Sequence, residues 1–467
     1  MSRHHLTALL CAALVVLSAT ESCKKAENVR PVDDGPTSEA KPKPGGTVGR
    51  EYTLVPDAQG RLLLDGTNNI YKPGDVINLK GNFSAVVIKN LSGSASAPII
   101  VRNPKGAVTT IGNPSWSGGS WATALSFVNC HYIKAGSETS KAEFLINGST
   151  QTGKEAYFDL ALSSHTDNFE IRNITISNGG TGIWAKTDPV KGDASTQYPN
   201  SWMENLSIHD VTVQGTNNEA MYIGHTALYW NLTANTPYYG ATAGFVPGQE
   251  YVQPIKWRNV KIYNNIVQNI GADGIQTAAS DKLEIYGNTV VNWGLQQNSA
   301  HNGGILVGGR TTNTNTHDNY VHDGWGEMLQ FYGSGENGAQ HIIHNNLFAN
   351  SKSAHDGISL RGTDKALVTV SNNTVARAGG VSLRINGYFG MTTAVNVNGN
   401  AFIEPRTFGG TVTLNSYIYT ENTGSAIEGT SINANAKFAT VADAGVDANN
   451  MYQPVSTSKL ASAGYRK

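Results

Sequence analysis

The sequence predicts an all-β chain wound as a parallel β-helix, a solenoid of stacked coils. Three observations predict it. First, one unit recurs between Ile262 and Phe402, in which an asparagine sits between two short apolar runs. The copies read Ile262-Tyr-Asn-Asn265-Ile, Ile285-Tyr-Gly-Asn288-Thr-Val, Thr316-His-Asp-Asn319-Tyr-Val, Ile343-His-Asn-Asn346-Leu-Phe, Val370-Ser-Asn-Asn373-Thr-Val and Val397-Asn-Gly-Asn400-Ala-Phe. Their asparagines at 265, 288, 319, 346, 373 and 400 are 23, 31, 27, 27 and 27 residues apart. Self-similarity at such a period marks a repeat architecture in which each unit buries its apolar face only against its neighbours. Second, only 15% of the 467 residues are charged and 51 are glycine, a composition that suits a turn-dense β protein. Third, the apolar runs are short and alternate, bounded by Gly, Asn and Asp, as strands between tight turns require. A net charge of −1 offers no basic footprint for nucleic acid.

In chain order, residues 1–22 read as a secretory signal, with Arg3, His4 and His5 ahead of a short apolar run from Leu6 to Ala19. That run is too short to span a bilayer. The segment Leu17-Ser-Ala-Thr-Glu-Ser-Cys23-Lys-Lys resembles a bacterial lipoprotein signal, which implies lipid on Cys23. The expected location is the outer membrane, facing the periplasm or the cell surface, with the lipid as the only membrane contact. Residues 23–50 carry almost nothing apolar after the cysteine and read as a flexible tether. Cys11 falls in the signal, so Cys130 is the lone thiol of the folded part. No internal disulfide is expected, and a buried structural role suits Cys130.

The folded domain is expected over 51–467. Strands are predicted in Tyr71-Lys-Pro-Gly-Asp-Val-Ile-Asn-Leu-Lys80, over Ser84–Lys89 and in Ala97-Pro-Ile-Ile-Val-Arg102. Together with Leu125-Ser-Phe-Val-Asn-Cys-His-Tyr-Ile133, these stretches resemble the opening coils of right-handed parallel β-helix proteins of the pectate-lyase-like superfamily. The resemblance covers about 68–406 and implies right-handed coils. Many chemistries share that scaffold, so it implies a fold more than an activity. Regular coils are expected over about 120–406, roughly ten in all, and Phe169-Glu-Ile-Arg-Asn173-Ile and Leu206-Ser-Ile-His-Asp210-Val precede the repeating set. Stretches 187–201 and 227–254 do not repeat and read as excursions from one face. Residues 407–467 read as a cap that hides the last coil. A monomer is expected.

The repeated asparagines suit a ladder. Coils stack about 4.8 Å apart, and amide side chains in register hydrogen-bond along such a stack. Chemistry is expected elsewhere, at the start of a second set of strands. These read Glu219-Ala-Met-Tyr-Ile, Asp273-Gly-Ile-Gln-Thr, Gly303-Gly-Ile-Leu-Val, Glu327-Met-Leu-Gln-Phe, Asp356-Gly-Ile-Ser-Leu and Gly379-Gly-Val-Ser-Leu. Third and fifth places are expected to point inward, second and fourth outward, and first places to form one column. That column puts Glu219 beside Asp273 and Glu327 beside Asp356. Asp-Gly is also an ordinary turn pair, a reading that explains Asp273 and Asp356 but not the two glutamates.

Two chemistries fit the column. Stacked carboxylates could serve as acid and nucleophile, or acid and base, in glycoside hydrolysis. Alternatively Glu327, Asp356 and Glu219 could hold Ca²⁺, which takes oxygen ligands. Asp273, Glu327 and Asp356 are thus candidate metal ligands or acid–base groups, and His301 or His355 a candidate base. Arg361 and Arg384, expected at equivalent places one coil apart, suit a substrate carboxylate, with Tyr332, Trp325 and Tyr222 lining the substrate. Trp184, Trp293 and Tyr388 are further rings near strand ends. The strand Asp356-Gly-Ile-Ser-Leu-Arg361-Gly is similar to the arginine-bearing strand of alginate and chondroitin lyases, which implies β-elimination from a uronate-containing polysaccharide. The Glu-x-Glu metal motif of those enzymes is not found. The alternatives are a glycoside hydrolase and a non-catalytic glycan-binding or structural envelope protein.

Overall fold

The computed structural model describes residues 49–361, 366–386, 394–421 and 434–466. The signal, Cys23, nearly all of the tether, and Tyr388 lie outside the described residues. The rest is a parallel β-helix of three sheets, each of twelve strands stacked almost wholly in chain order. Within a coil the chain runs through sheet 1 (for example Ser280–Tyr286), sheet 2 (Thr289–Val291) and sheet 3 (Ile305–Val307), then returns to sheet 1 at Thr312–His317. Stacking begins at Glu51–Leu54, which pairs with Val76–Leu79. The coils therefore start well before residue 120 and exceed the expected ten, because the early ones lack the asparagine that makes the later ones legible.

The core is a set of columns along the axis. Ile262, Ile285, Thr316, Ile343, Val370 and Val397 pair in succession in sheet 1 and are fully buried. Each aliphatic member contributes about 1.5–3 kcal/mol by leaving water. The turn from sheet 1 to sheet 2 divides its work between two residues. The first takes the left-handed backbone, as at Asn264 (φ 54°), Asp318 (φ 55°) and Asn345 (φ 49°). The second is the ladder asparagine. Asn319 donates from Nδ2 to Asn346 Oδ1 at 2.9 Å and accepts on Oδ1 from Asn288 Nδ2 at 2.9 Å. The ladder runs on past Asn400 to a seventh member, Asn435.

One expected orientation is reversed. The second place of the sheet 3 segments points inward, not outward. A Cβ on Gly274, Gly304 or Gly357 would lie 2.6, 2.5 or 2.4 Å from Cγ1 of Val290, Val321 or Val375 in the core. Glycine recurs there because the chain turns into the strand with its backbone against the core wall. Ala220 and Met328, at the same place in other coils, are fully buried.

The two excursions join. Gln197–Tyr198 from the first pairs antiparallel with Tyr251–Pro254 from the second, which also carries Tyr229–Asn231 and Thr236–Tyr238, making a four-stranded sheet. It rises from the turns between sheet 3 and sheet 1. The C-terminal segment does more than cover the last coil. Its Ala444, Tyr452, Leu460 and Tyr465 pack on Leu347, Ala349, Ala376, Ala401 and Ile403, the outer side of sheet 2. Those strands are buried on both faces, which accounts for their unbroken apolar runs. Cys130 is buried and unpaired, and burial pushes its thiol up to about 11.

Candidate active site

The outer face of sheet 3 is bordered by turns on both sides, which would make it a groove for an extended ligand. Trp184, Tyr222, Gln276, Leu306, Gln330, Ser359, Arg384 and Tyr419 lie in register along its middle row. One margin is formed by the turns leading into sheet 3, which carry the acids. The other is formed by the turns leaving it, where the excursions rise. Met221, Ile275, Ile305, Leu329 and Ile358 pair in succession, so the residues two places earlier, Glu219, Asp273, Gly303, Glu327 and Asp356, share one column. The last coil is offset from expectation. Ile358 pairs with Leu383, which puts Val381, not Gly379, beside Asp356. Arg361 likewise pairs with Asn386 and Arg384 with Ser359, so the two arginines are not equivalent but stand two places apart on the same face.

The column contains two kinds of acid. Glu219 and Asp273 meet His301, which reaches over them from the long turn before Gly303. His301 Nδ1 lies 3.6 Å from Glu219 Oε1 and 3.5 Å from Asp273 Oδ2. Asp273 Oδ1 accepts from the Gly303 backbone N–H at 2.5 Å, whereas its Oδ2 is buried with no hydrogen-bond partner. Glu219 Oε2 accepts from Thr181 Oγ1 at 3.3 Å. Exposure separates their roles: the His301 side chain is 41% accessible, Glu219 11% and Asp273 0%. The ring is the member of the trio that a ligand in the groove would touch. Burial, then the charge of Asp273, raises the proton affinity of Glu219. The contact with Asp273 raises that of His301 against the opposing effect of burial.

Glu327 and Asp356 are instead neutralised by arginine. Arg361 Nη2 donates to Glu327 Oε1, and Arg384 Nε donates to Asp356 Oδ2. Glu327 also accepts from Gln330 Nε2 at 2.7 Å, and Asp356 from the Val381 N–H at 2.8 Å. These acids hold guanidinium groups in place. Their charges are already matched, which fits neither a Ca²⁺ cage of Glu327, Asp356 and Glu219 nor a free acid–base pair. Among the described residues, Glu219, Asp273 and His301 are the group whose donor atoms all lie within 4.8 Å of one another. An imidazole with two carboxylates suits a borderline ion such as Zn²⁺ or Fe²⁺ better than Ca²⁺, which prefers oxygen alone. Tyr332 stands beside Arg361, whose guanidinium carbon is 5.9 Å from its ring centre. Burial, outweighing Arg361, raises the Tyr332 phenol and keeps it protonated.

His355 stands apart from the trio. Its Nδ1 lies 2.8 Å from Ser353 Oγ and its ring meets Trp325 edge-on at 4.6 Å. Trp293 is no sugar platform, since it is fully buried with Nε1 donating to Asn302 O at 3.0 Å. Sequence reasoning passed over Lys186. Its ammonium sits 4.6 Å from the Tyr222 ring centre and 5.3 Å from that of Trp184. Burial opposes its charge, but Tyr222 and Asp188 outweigh it and hold the lysine protonated. Asp188 is in turn 3.1 Å from Nε2 of buried His225, whose Nδ1 accepts from the Ala227 N–H at 3.1 Å. Burial drives His225 down to about 4, so it is neutral. The one available signal was the outward place of Lys186, two residues after Trp184, because partners from distant excursions leave no local pattern.

Residues 253–424 match the family model of the right handed beta helix region. Among solved structures, the chain is similar to the GH136 lacto-N-biosidase of Eubacterium ramulus, at 11% identity and TM-score 0.48, covering 79% of this chain and 62% of that one. It is also similar to DFA-IIIase of Arthrobacter chlorophenolicus, at 10% identity and TM-score 0.42, covering 85% and 89%. An alginate lyase of Paenibacillus aligns at 13% identity and TM-score 0.36, covering 81% and 96%. The chain thus spans less than two thirds of the length of the biosidase, and the likeness to all three is one of fold. No curated protein sequence matches. The protein is a right-handed parallel β-helix, and what the groove does rests on its own residues.

Proposed function

We propose that the protein is a carbohydrate-active enzyme that cleaves an acidic polysaccharide by β-elimination in the groove over sheet 3. One observation carries this: His301 is the exposed member of a trio whose two acids are buried beneath it. Hydrolysis by a carboxylate pair needs both acids at the sugar, whereas elimination needs one positioned base. In this reading neutral His301 removes the proton on C5 of a uronate. The C5–H electron pair forms the C4–C5 double bond, and the C4–O bond breaks with its electrons on the leaving oxygen. Tyr332, kept protonated by burial, supplies the proton to that oxygen. Asp273 and Glu219 orient the imidazole and favour its charged form. Arg361 uses Nη2 on Glu327 and presents its remaining N–H donors to the uronate carboxylate, whose charge grows in the transition state. Trp184, Tyr222 and Lys186 supply ring faces and a cation one and two coils away from Asp273. Lipid on Cys23 would hold the enzyme at the bacterial envelope, where polymeric substrates arrive.

The test is a panel of acidic and neutral polysaccharides. Elimination gives unsaturated ends that absorb in the ultraviolet, and His301→Ala should abolish them. Reducing ends without that absorbance would instead mark a hydrolase, and binding without any cleavage would assign a glycan-binding protein.

A further inference from the structure

Outside the trio, the turns leaving sheet 3 enclose a cavity of about 530 Å³ between the small antiparallel sheet and the coil carrying Glu336. Tyr198, Gln253, Lys256, Arg310, Ser334 and Glu336 line it. Lys256 begins its sheet 1 strand opposite Trp202 and is only 2% exposed. A lysine is rarely buried without a counter-charge. The carboxylate in contact with it, Glu336, lies 3.5 Å away and is itself 41% exposed, while Asp281 attracts it from outside the lining of the cavity. The Lys256 ammonium also sits 5.0 and 5.5 Å from the ring centres of Tyr198 and Trp202. Arg310 donates from Nη2 to Pro254 O at 2.8 Å and from Nη1 to Ala227 O at 3.5 Å, carbonyls at the two ends of the excursion. It makes no ion pair among the described residues. Among the residues that line the cavity, two cations thus share one exposed acid, which leaves its wall with a surplus positive charge. Glu336 sits on a three-residue turn, Glu336–Gly338, so an incoming anion can take its place beside Lys256 without moving a coil.

We propose that this cavity is an anion-binding subsite that takes the carboxylate or sulfate ester of a sugar residue, with Lys256 and Arg310 as its charge partners and the Tyr198 ring as its wall. It lies on the margin of the groove opposite the acids. The sugar part of the assignment rests on the proposed glycan function, whereas the anion follows from the cavity's own charges.

The test is isothermal titration of the intact mature chain with inorganic sulfate, with a uronate oligosaccharide and with a sulfated oligosaccharide. One of the two oligosaccharides should bind more tightly than inorganic sulfate. Arg310→Gln should weaken that binding roughly tenfold, the loss of one charge-assisted bond. Arg310→Lys, which keeps the charge should the excursion need support there, should retain most of it. Glu336→Gln, on the surface, should tighten binding. Unchanged affinity in Arg310→Gln, or weaker affinity in Glu336→Gln, overturns the subsite. Inorganic sulfate binding as tightly as the better of the two oligosaccharides overturns the sugar-borne assignment. Binding is read without turnover, so a chain that cleaves nothing still tests the cavity. A chain that cleaves but ignores these substitutions refutes the cavity alone.

Discussion

Asn319→Ala tests the asparagine ladder most directly. The Asn319 amide makes polar contact with five backbone and side-chain groups. Its two Nδ2 hydrogens are shared among Ile285 O, His317 O and Asn346 Oδ1, each at 2.9 Å, and its Oδ1 accepts from Asn288 N at 3.1 Å and Asn288 Nδ2 at 2.9 Å. The side chain is fully buried, so water cannot replace it without opening the stack. Truncation orphans the Asn288 backbone N–H, which costs about 1–3 kcal/mol, and the other bonds are each worth about 0.5–1.5 kcal/mol net. Some of the loss falls on groups that keep a second partner, since Asn288 Nδ2 still donates to Ile262 O and Asn346 Oδ1 still accepts from Asn319 N. A total near 3–5 kcal/mol is expected, read from urea denaturation followed by far-ultraviolet circular dichroism. Gln268→Ala is the control. It removes a half-buried amide bond to Gln214 on the outside of sheet 2 and should cost under about 1 kcal/mol. If Asn319→Ala costs no more than Gln268→Ala, the ladder does not hold the coils in register and the reasoning fails.

The remaining outcomes concern the site, the core and the anchor. His301→Ala should lower kcat/KM by about 10²–10⁴-fold, the usual contribution of a general base. Because Asp273 raises the proton affinity of His301 and the base form is the deprotonated one, kcat/KM should rise with pH through a value above the ordinary histidine range. Asp273→Asn should move that rise to lower pH, and an unmoved profile would remove His301 from the reaction. Gly304→Ala should destabilise by about 1–3 kcal/mol through overpacking, because its Cβ would lie 2.5 Å from Val321 Cγ1. With Glu327 and Asp356 already paired to arginines, Ca²⁺ should not shift the denaturation midpoint, and with His301 acting as a base rather than as a metal ligand, EDTA should leave activity unchanged. Cys23→Ala should move the protein from the membrane to the soluble fraction of the producing cell, and lipid labelling should disappear with it.

Much of the fold was legible because its strongest interactions repeat. The asparagines at 265 to 400 and the aliphatic residues three places before most of them announce a stack, since each coil must present the same groups to the next. Early coils stack in the same way through apolar columns such as Leu64, Ile88 and Phe127 and through side-chain bonds such as Asn78 to Glu51 and Asn90 to Asp65, but no single polar residue recurs at one spacing to announce them. The turn glycines misled in direction. Gly274 and Gly304 look like outward turn residues, and only the distance to Val290 and Val321 shows that they face the core.

The site divides along the same line. By itself the sequence determined that Glu219, Asp273, Glu327 and Asp356 share one column, because register follows from counting residues along stacked strands. It could not decide which acids carry charge into the groove. Glu327 and Asp356 meet arginines 34 and 28 residues away, while Glu219 and Asp273 meet a histidine brought over them by a long turn. The cavity around Lys256 and Arg310 arises where two excursions close into one sheet. A repeat fixes the spacing of its own coils, but side-chain reach, burial and charge pairing depend on the turns that do not repeat. Only the tertiary structure decides where those turns lie.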